Sequence, residues 1–399
     1  MILHHSRFLL ALIFNPLLGG FLPTSTSAAT PLRLISPLDY EVRQRDATGQ
    51  GSIAVAGALP QPAEAPVVIE TRLVVDPGEA DWQRLASIAA GGSEFRGELQ
   101  APAGGWYRLE VRAVRGKSVA AEAVVEHLGV GEVFAVAGQS NSANHGSEKQ
   151  TPRTGLVSAF DGAKWQLAND PQPGASGGGG SFLAPFGDTL AERFKVPIGI
   201  VATGVGATSV REWLPAGTRF PKPPTLVGNV APLLSGEWEA KGTIYHRFTT
   251  RLRALGPHGF RAVLWHQGES DANQRDATRT LPGDLYRDYL SQVIRDSRRD
   301  LGWEAPWFVA QVSYHTPDDP GSPDIRAAQK AVWDSGLALA GPDSDSLTGK
   351  LRERDGKGVH FSGPGLRAHA TLWVEKVAPW LEQQLAKSPG PSAKEPRGR

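Results

Sequence analysis

From residue 130 onward, this chain alternates short apolar runs with amphipathic segments. Apolar runs with the length of buried strands occupy residues 133–137, 198–202, 262–265 and 307–312. Apolar residues at helical spacing occupy residues 186–194, 245–255, 285–301, 325–333 and 365–385. Alternation of this kind predicts an α/β domain, spanning 129–386, whose parallel sheet is covered by helices on both faces.

The preceding residues, 30–128, are typical of an all-β region. Segments 53–56, 67–75 and 106–114 are β-branched or alternate apolar with polar side chains, and glycine-rich turns separate them. Several short strands over about a hundred residues predict a small immunoglobulin-like sandwich. No catalytic pattern falls in it, so we expect its role to be structural. The alternative is contact with sugars through exposed aromatic residues such as Trp82 and Trp106.

Both ends of the chain are predicted to lie outside the two folded regions. Residues 1–29 combine a weakly basic start, an apolar stretch and the small residues SAA at 27–29, the pattern of a secretory signal peptide. Asn15 and Pro16 interrupt the apolar stretch, and an uncleaved anchor helix is the alternative. We expect a secreted or periplasmic protein with no membrane attachment after cleavage. The tail 387–399, rich in proline, lysine and glycine, is predicted to be disordered.

Composition excludes several kinds of chemistry. The 399 residues include no cysteine, which rules out disulfides, thiol catalysis and zinc–thiolate sites. A formal net charge of +1 creates no global field for nucleic acid, and we expect no nucleic-acid partner. Glu269 and Asp271 stand near His266 as metal ligands would, but no second histidine follows at helical spacing. We therefore expect neither a metal nor a cofactor.

Polar residues follow three of the predicted strands directly. Ser140 ends the segment VFAVAGQS at 133–140, and Gly206 and Gln267 follow later strands. The carboxyl ends of parallel strands meet at one edge of a sheet, so these residues are expected to share a site. A serine hydroxyl needs a base to act as a nucleophile, and His360 is the candidate. The N–H groups of Ser140 and Gly206 and the Gln267 amide are candidate oxyanion donors.

Four segments resemble the conserved blocks of a known superfamily. They are GQSN at 138–141, GATS at 206–209 with Trp213, WHQGES at 265–270, and Asp355 with HFS at 360–362. Together they resemble the SGNH (GDSL-like) hydrolases, and more closely the sialate O-acetylesterase and acetylxylan esterase branch. The resemblance covers residues 130–385 and implies a three-layer α/β/α fold, no metal, and hydrolysis of acetyl esters on sugars. It implies Ser140 as nucleophile, His360 as base, and Ser140, Gly206 and Gln267 around the oxyanion.

The chain departs from this family pattern at two positions. Ala207 stands where the family usually has a second glycine, which is tolerated unless that residue has a positive φ. The family usually places an acid three residues before the histidine, and here that residue is Lys357. Asp355, two residues further back, is the expected partner of His360, with Glu269 in reserve.

Asn141, His266, Arg211 and Trp213 are candidate substrate contacts, the tryptophan by stacking on a sugar face. The alternatives are a loop hydrogen bond for Asn141, a structural role for His266, and core packing for Trp213. The glycine-rich segment 171–181 is expected to be a flexible surface loop.

These observations predict a secreted carbohydrate O-acetylesterase, of sialate or xylan type, that works through an acyl-enzyme with a Ser-His-Asp/Glu set. The expected partner is an acetylated carbohydrate. The alternatives are a non-catalytic carbohydrate-binding protein of the same fold, or an esterase or lipase of broader specificity.

Overall fold

The computed structural model describes residues 30–75, 80–272, 278 and 280–387. The predicted signal peptide, 1–29, and residues 388–399 of the predicted tail lie outside the described residues. Among the helices of the described part, none is long and apolar enough to cross a bilayer.

The regular elements of the N-terminal region are all strands in its described part. They are β1 (Thr30–Pro31), β2 (Arg33–Ser36), β3 (Glu41–Gln44), β4 (Gln50–Ala58), β5 (Val67–Val74), β6 (Gln83–Ile88), β7 (Glu94–Pro102), β8 (Gly104–Arg115) and β9 (Ser118–Gly138). Strands β2, β4 and β7 form one antiparallel sheet, and β6, β5, β8 and the first half of β9 form another. Ile53, Ile69 and Leu109 belong to one buried cluster shared by both sheets. The immunoglobulin-like assignment of this region stays a prediction.

Strand β9 extends through both regions of the chain. Its first half pairs with β8, and its second half pairs with strands of the α/β region. All residues from Leu128 to Gly138 are buried. The predicted domain boundary between residues 128 and 129 therefore falls inside a continuous strand.

The α/β region begins with the second half of β9. Its other strands are β10 (Val157–Phe160), β11 (Trp165–Leu167), β12 (Ile198–Ala202), β13 (Arg219–Phe220), β14 (Val230–Pro232), β15 (Trp238–Ala240), β16 (Ala262–His266), β17 (Trp307–Gln311) and β18 (Leu339–Asp343). Its helices are α1 (Leu183–Phe194), α2 (Thr243–Ala254), α3 (Gly283–Leu301), α4 (Pro323–Asp334), α5 (Glu353–Gly356) and α6 (Gly363–Ala386).

The central sheet has the strand order β11-β10-β12-β9-β16-β17-β18. Every neighbouring pair is parallel except β10 and β11. Successive side chains of a strand point to opposite faces, and β9 follows this rule. Val133 and Ala135 join the core formed with α2, α3 and α4, whereas Phe134 and Val136 join the core formed with α1 and α6. The predicted α/β class with a parallel sheet is confirmed.

Candidate active site

Three neighbouring strands of the central sheet deliver the loops of the candidate site. Strands β12, β9 and β16 lie side by side and parallel, so their carboxyl ends share one edge of the sheet. Gly206, Ser140 and Glu269 lie in the loops that follow these strands and line a common cleft of about 480 Å³. The predicted meeting of the motifs at one edge is confirmed for Ser140 and Gly206, whereas Gln267 does not line the cleft.

Ser140 begins a single helical turn, Ser140–Ser142, immediately beyond β9. The turn is possible because Gly138 has a φ of 126° and lies against β16, where a Cβ would come within 2.1 Å of the His266 carbonyl oxygen. The Ser140 side chain is nearly buried yet lines the cleft. Among the described residues, neither its Oγ nor its N–H makes a hydrogen bond, so both are available to a substrate.

His360 lies on a short antiparallel hairpin rather than on a free loop. Arg352 and Phe361 form a β-bridge, and the Glu353 N–H donates to the His360 carbonyl at 2.9 Å. The two strands of this hairpin therefore place Glu353 opposite His360. Their side chains meet, with His360 Nδ1 3.1 Å from Glu353 Oε1.

Glu353, not Asp355, is the carboxylate partner of His360, and this corrects the sequence prediction. Arg354 and Asp355 have φ values of 53° and 55°, so α5 is a left-handed turn rather than a regular helix. Asp355 lies at the tip of this turn with an exposed side chain. Gly358 opens the space that the glutamate occupies, since a Cβ there would lie 2.2 Å from Glu353 Cγ.

Glu269, the reserve partner, is engaged elsewhere. Its Oε1 accepts a hydrogen bond from Asn141 Nδ2 at 3.0 Å, and the same amide donates to the Val359 carbonyl at 3.2 Å. Asn141 thus connects the serine turn to the residue that precedes His360. This outcome supports the loop alternative for Asn141, which is not among the residues that line the cleft.

Burial shifts the pKa values of His360 and Glu269 in opposite directions. It lowers the pKa of His360 below its ordinary value, while the Glu353 carboxylate opposes the shift. Burial raises the pKa of Glu269 to about 7, and the hydrogen bond from Asn141 opposes it. A neutral imidazole at neutral pH is the form that can accept a proton from a serine.

Gln267 is not positioned as an oxyanion donor. The residue is fully buried, and its Nε2 donates to Asp271 Oδ2 at 2.8 Å and to the Thr208 carbonyl at 3.1 Å. Both hydrogens of the amide are therefore used inside the protein. This expectation was wrong because sequence position places the residue after β16 but does not say which way its side chain turns.

The Gly206 loop differs from the simple expectation in two ways. The Gly206 N–H donates to Ser176 Oγ at 2.7 Å, so this candidate oxyanion donor already has an acceptor. Ala207 has a φ of 60°, the left-handed conformation in which a side chain is unfavourable. Alanine was expected to be tolerated here only if φ is not positive. Because φ is positive, the loop holds Ala207 at an energetic cost.

The other predicted substrate contacts are fully buried and do not line the cleft. Arg211 donates to Ser209 Oγ, to the Lys222 carbonyl and to Asp271. His266 Nε2 lies 2.8 Å from Ser344 Oγ. Trp213 packs against aromatic rings of the core and donates to Thr208 Oγ1. These three side chains stabilise the loops of the site from inside the protein. Contrary to the sequence prediction, they are not substrate contacts.

Three polar residues of the cleft lie outside the four sequence motifs and were not predicted, namely His145, Ser176 and His315. His315 Nδ1 lies 3.0 Å from Asp319 Oδ2, so a second histidine–carboxylate pair is present at the rim. Ser176 lies in the segment 171–181, which is not a free excursion, since Gly146 and Gly180 exchange two backbone hydrogen bonds. Because these residues lie outside the motifs, the only signal for them in the sequence is that they are histidines and a serine.

Within the described ranges, no three histidine, aspartate or glutamate side chains gather as they would around a metal ion.

A parallel sheet with helices on both faces, and a serine and a histidine–carboxylate pair in the cleft at its edge, define an α/β hydrolase-like protein. The chain belongs to the carbohydrate esterase family described as sialic acid-specific acetylesterase, whose family model matches residues 130–368. The match covers more than half of the sequence, and it makes the protein a carbohydrate esterase. No curated protein matches the chain.

Solved structures similar to this chain include other carbohydrate esterases. A carbohydrate acetylesterase from Xanthomonas citri is 19% identical, with 87% of this chain and 74% of that one covered and a TM-score of 0.49. NanS is 17% identical, with 63% and 98% covered and a TM-score of 0.41. A family 2 carbohydrate esterase with a carbohydrate-binding domain, from Corynascus thermopiles (Myceliophthora fergusii), is 12% identical, with 88% and 99% covered and a TM-score of 0.35.

Proposed function

We propose that this protein hydrolyses acetyl esters on sugars through an acyl-enzyme, with Ser140 as nucleophile, His360 as base and Glu353 as the group that orients the base. The observation that carries the proposal is the 3.1 Å contact between His360 Nδ1 and Glu353 Oε1, in the cleft that Ser140 also lines. A carboxylate at Nδ1 holds the proton on that nitrogen and leaves Nε2 as the acceptor.

The reaction proceeds in two steps. Ser140 Oγ forms a bond to the acetyl carbon, its proton moves to His360 Nε2, and the carbonyl π electrons move onto oxygen. Collapse breaks the bond to the sugar oxygen, which takes the proton from His360 and leaves as an alcohol. Water then attacks the acetyl-enzyme by the same route, and acetate leaves with Ser140 restored.

Ser140 and His360 make no hydrogen bond to each other within the described part of the chain. Serine–histidine contacts of this kind are often long until a substrate fills the site. The Ser140 N–H, which has no acceptor there, supports its role as the first oxyanion donor.

The substrate we propose is an acetylated carbohydrate of the sialate or xylan type. The family description names sialic acid-specific acetylesterase activity. Hydrogen-bonding side chains line the cleft, among them His145, Ser270 and His315, and such groups suit a hydroxylated sugar better than a lipid chain.

The test is acetate release from p-nitrophenyl acetate, O-acetylated sialic acid and acetylated xylan by the wild type and by Ser140→Ala. We expect turnover by the wild type and its loss in the variant. As a control for specificity, the wild type should hydrolyse p-nitrophenyl acetate faster than p-nitrophenyl butyrate. A wild type that releases no acetate overturns the proposal. Equal rates on the acetyl and butyryl esters would instead indicate an esterase of broader specificity.

We also propose export, on the basis of the basic, apolar and small-residue pattern of residues 1–29. The measurement is the N-terminal sequence of the protein recovered from its native compartment. A start near Thr30 supports cleavage, whereas a retained residue 1 contradicts it.

A further inference from the structure

Two of the three groups expected to bind the oxyanion are engaged within the protein. The Gln267 amide donates to Asp271 and to the Thr208 carbonyl, and the Gly206 N–H donates to Ser176 Oγ. Removing one donor from such a site typically costs about 10²–10³ in kcat, so a site with the Ser140 N–H alone would be poor. The Ser176 hydroxyl, which accepts the hydrogen bond from the Gly206 N–H, itself lines the cleft.

The backbone of Ser176 is fixed from two sides. Its N–H donates to the Gly204 carbonyl at 2.9 Å, and its carbonyl accepts from the Asn144 N–H at 2.9 Å. The loop packs closely here, since a Cβ on Gly177 would lie 2.3 Å from the Asn144 carbonyl oxygen. Ser176 therefore connects the loop after the nucleophile to the loop after β12.

The hydroxyl of Ser176 has one hydrogen and two lone pairs to satisfy. The Gly206 N–H fills one lone pair at 2.7 Å, and His145 Nε2 lies 3.0 Å away. In the tautomer with the proton on Nε2, His145 fills the second lone pair, and the Ser176 hydrogen is left to point into the cleft. Two donors into one hydroxyl polarise it and strengthen the bond that it donates.

We propose that the Ser176 hydroxyl donates a hydrogen bond to the oxyanion, so that it is a catalytic residue, and that His145 is a positioning residue that orients it. This inference rests on the proposed function. As Ser140 Oγ attacks, the carbonyl oxygen gains the π electrons and accepts from the Ser140 N–H and the Ser176 O–H. Ser176 thus supplies the second donor, in place of the Gly206 N–H and the Gln267 amide, which are engaged within the protein.

The surroundings of His145 agree with the orienting role. Gly206 makes room for its ring, because a Cβ there would lie 2.7 Å from His145 Nε2. Burial and the neighbouring His360 lower the pKa of His145, which favours the neutral ring with one N–H. Among the described residues, Ser176 is the hydrogen-bond partner recorded for that ring.

The experiment compares the full-length wild type with Ser176→Ala, Ser176→Thr and the matched loop control Gly178→Ala, on p-nitrophenyl acetate. We expect Ser176→Ala to lose about 10²-fold in kcat with little change in KM, because a donor to the transition state acts on kcat. Ser176→Thr keeps the hydroxyl and should recover most of that loss. Gly178 has open space around it, so its alanine variant should match the wild type.

A second measurement separates donation from a structural role. The rate at which diethyl p-nitrophenyl phosphate inactivates the enzyme depends on the same oxyanion donors and should fall with kcat in Ser176→Ala, while the melting temperature stays near that of the wild type. His145→Gln, which retains a side-chain N–H, should keep more activity than His145→Leu.

The outcomes distinguish this inference from the proposed function. A Ser176→Ala variant as fast as the wild type, or faster because the Gly206 N–H is released, overturns the role of Ser176 and leaves the esterase proposal intact. A kcat that falls only together with the melting temperature also overturns it. An inert wild type overturns both.

Discussion

Glu353 lies directly across a short hairpin from His360, and its Oε1 is 3.1 Å from His360 Nδ1. Removing this carboxylate leaves the imidazole without the group that fixes its tautomer. We expect Glu353→Gln to lower kcat by roughly 10²- to 10⁴-fold. Asp355→Asn changes a side chain at the exposed tip of the same turn and is the matched control, with activity near that of the wild type. Steady-state rates on p-nitrophenyl acetate distinguish the two, and a large loss in Asp355→Asn with none in Glu353→Gln would restore the sequence prediction.

Glu353→Gln should also change the pH profile of kcat/KM. Burial lowers the pKa of His360, and the Glu353 carboxylate raises it again in part. Activity needs the neutral imidazole, so it should rise with pH through a pKa below the ordinary value. Glu353→Gln removes the contribution that raises this pKa, and its residual activity should have an acidic limb at lower pH than the wild type. A limb shifted to higher pH would contradict the assignment.

Gly358 should also be sensitive to substitution, although less so than Glu353. A Cβ at Gly358 would lie 2.2 Å from Glu353 Cγ and would push the carboxylate away from His360. We expect Gly358→Ala to lower kcat by about 10-fold or more, with KM less affected. Gly228→Ala places a methyl group in open space and serves as the control. Unchanged kcat in Gly358→Ala would mean that the hairpin adapts and that its close packing does not hold the glutamate.

Glu269 should affect stability more than catalysis. Burial raises its pKa from an ordinary value of 4.5 to about 7, so the folded chain retains a proton that the unfolded chain releases. The free energy of unfolding should therefore fall as the pH rises from about 4.5 to 7. Glu269→Gln keeps an oxygen for the Asn141 bond and removes the charge. We expect this variant to be more stable than the wild type at pH 8, and thermal unfolding from pH 5 to 8 measures it.

A comparison at pH 5 is the internal control for Glu269→Gln. Near this pH the wild-type carboxyl is mostly protonated in the folded state, so the difference in melting temperature should be small. A stability difference that is constant across the range would show that Glu269 does not titrate as described. The variant should also retain most of its esterase activity, since His360 pairs with Glu353.

Ala207→Gly should stabilise the protein. Ala207 has a φ of 60°, and the left-handed conformation costs a non-glycine residue about 1–2 kcal/mol. Part of this gain is offset by the greater freedom of glycine in the unfolded chain, and we expect a net gain of about 1 kcal/mol. Chemical denaturation of Ala207→Gly and of Ala163→Gly tests this. Ala163 is exposed and has no positive φ, so that substitution should be neutral or destabilising.

The arrangement of the α/β region could be predicted because its strands and helices have strong periodicity. The strand at residues 198–202 has the predicted bounds, and the helix at 285–301 differs only by two residues at its start. Strands β10 and β11, the edge strand β18 and the small sheet of β13, β14 and β15 were missed. All of these except β18, which has five residues, are two to four residues long, too short for a pattern of alternating side chains to appear.

The site could be predicted as a set of loops but not as a set of contacts. Ser140 and His360 follow from motifs, whereas Gln267, Arg211 and Trp213 turn away from the cleft, and side-chain direction in a loop has no sequence period. The sequence does contain a signal for Glu353. The residues DGKG at 355–358 are typical of a hairpin turn, and a turn centred there places residue 353 opposite residue 360.

The continuity of strand β9 constrains how the two regions of this protein can evolve. Residues Glu41–Gln44 pair with Leu128–Gly131, and the serine turn begins only nine residues after Gly131, immediately beyond the same strand. An accessory module joined by a linker can be lost or exchanged by recombination at the linker. Here the boundary between the two regions falls inside a hydrogen-bonded strand. Loss or exchange of the N-terminal region should therefore disturb the strand that leads to the nucleophile.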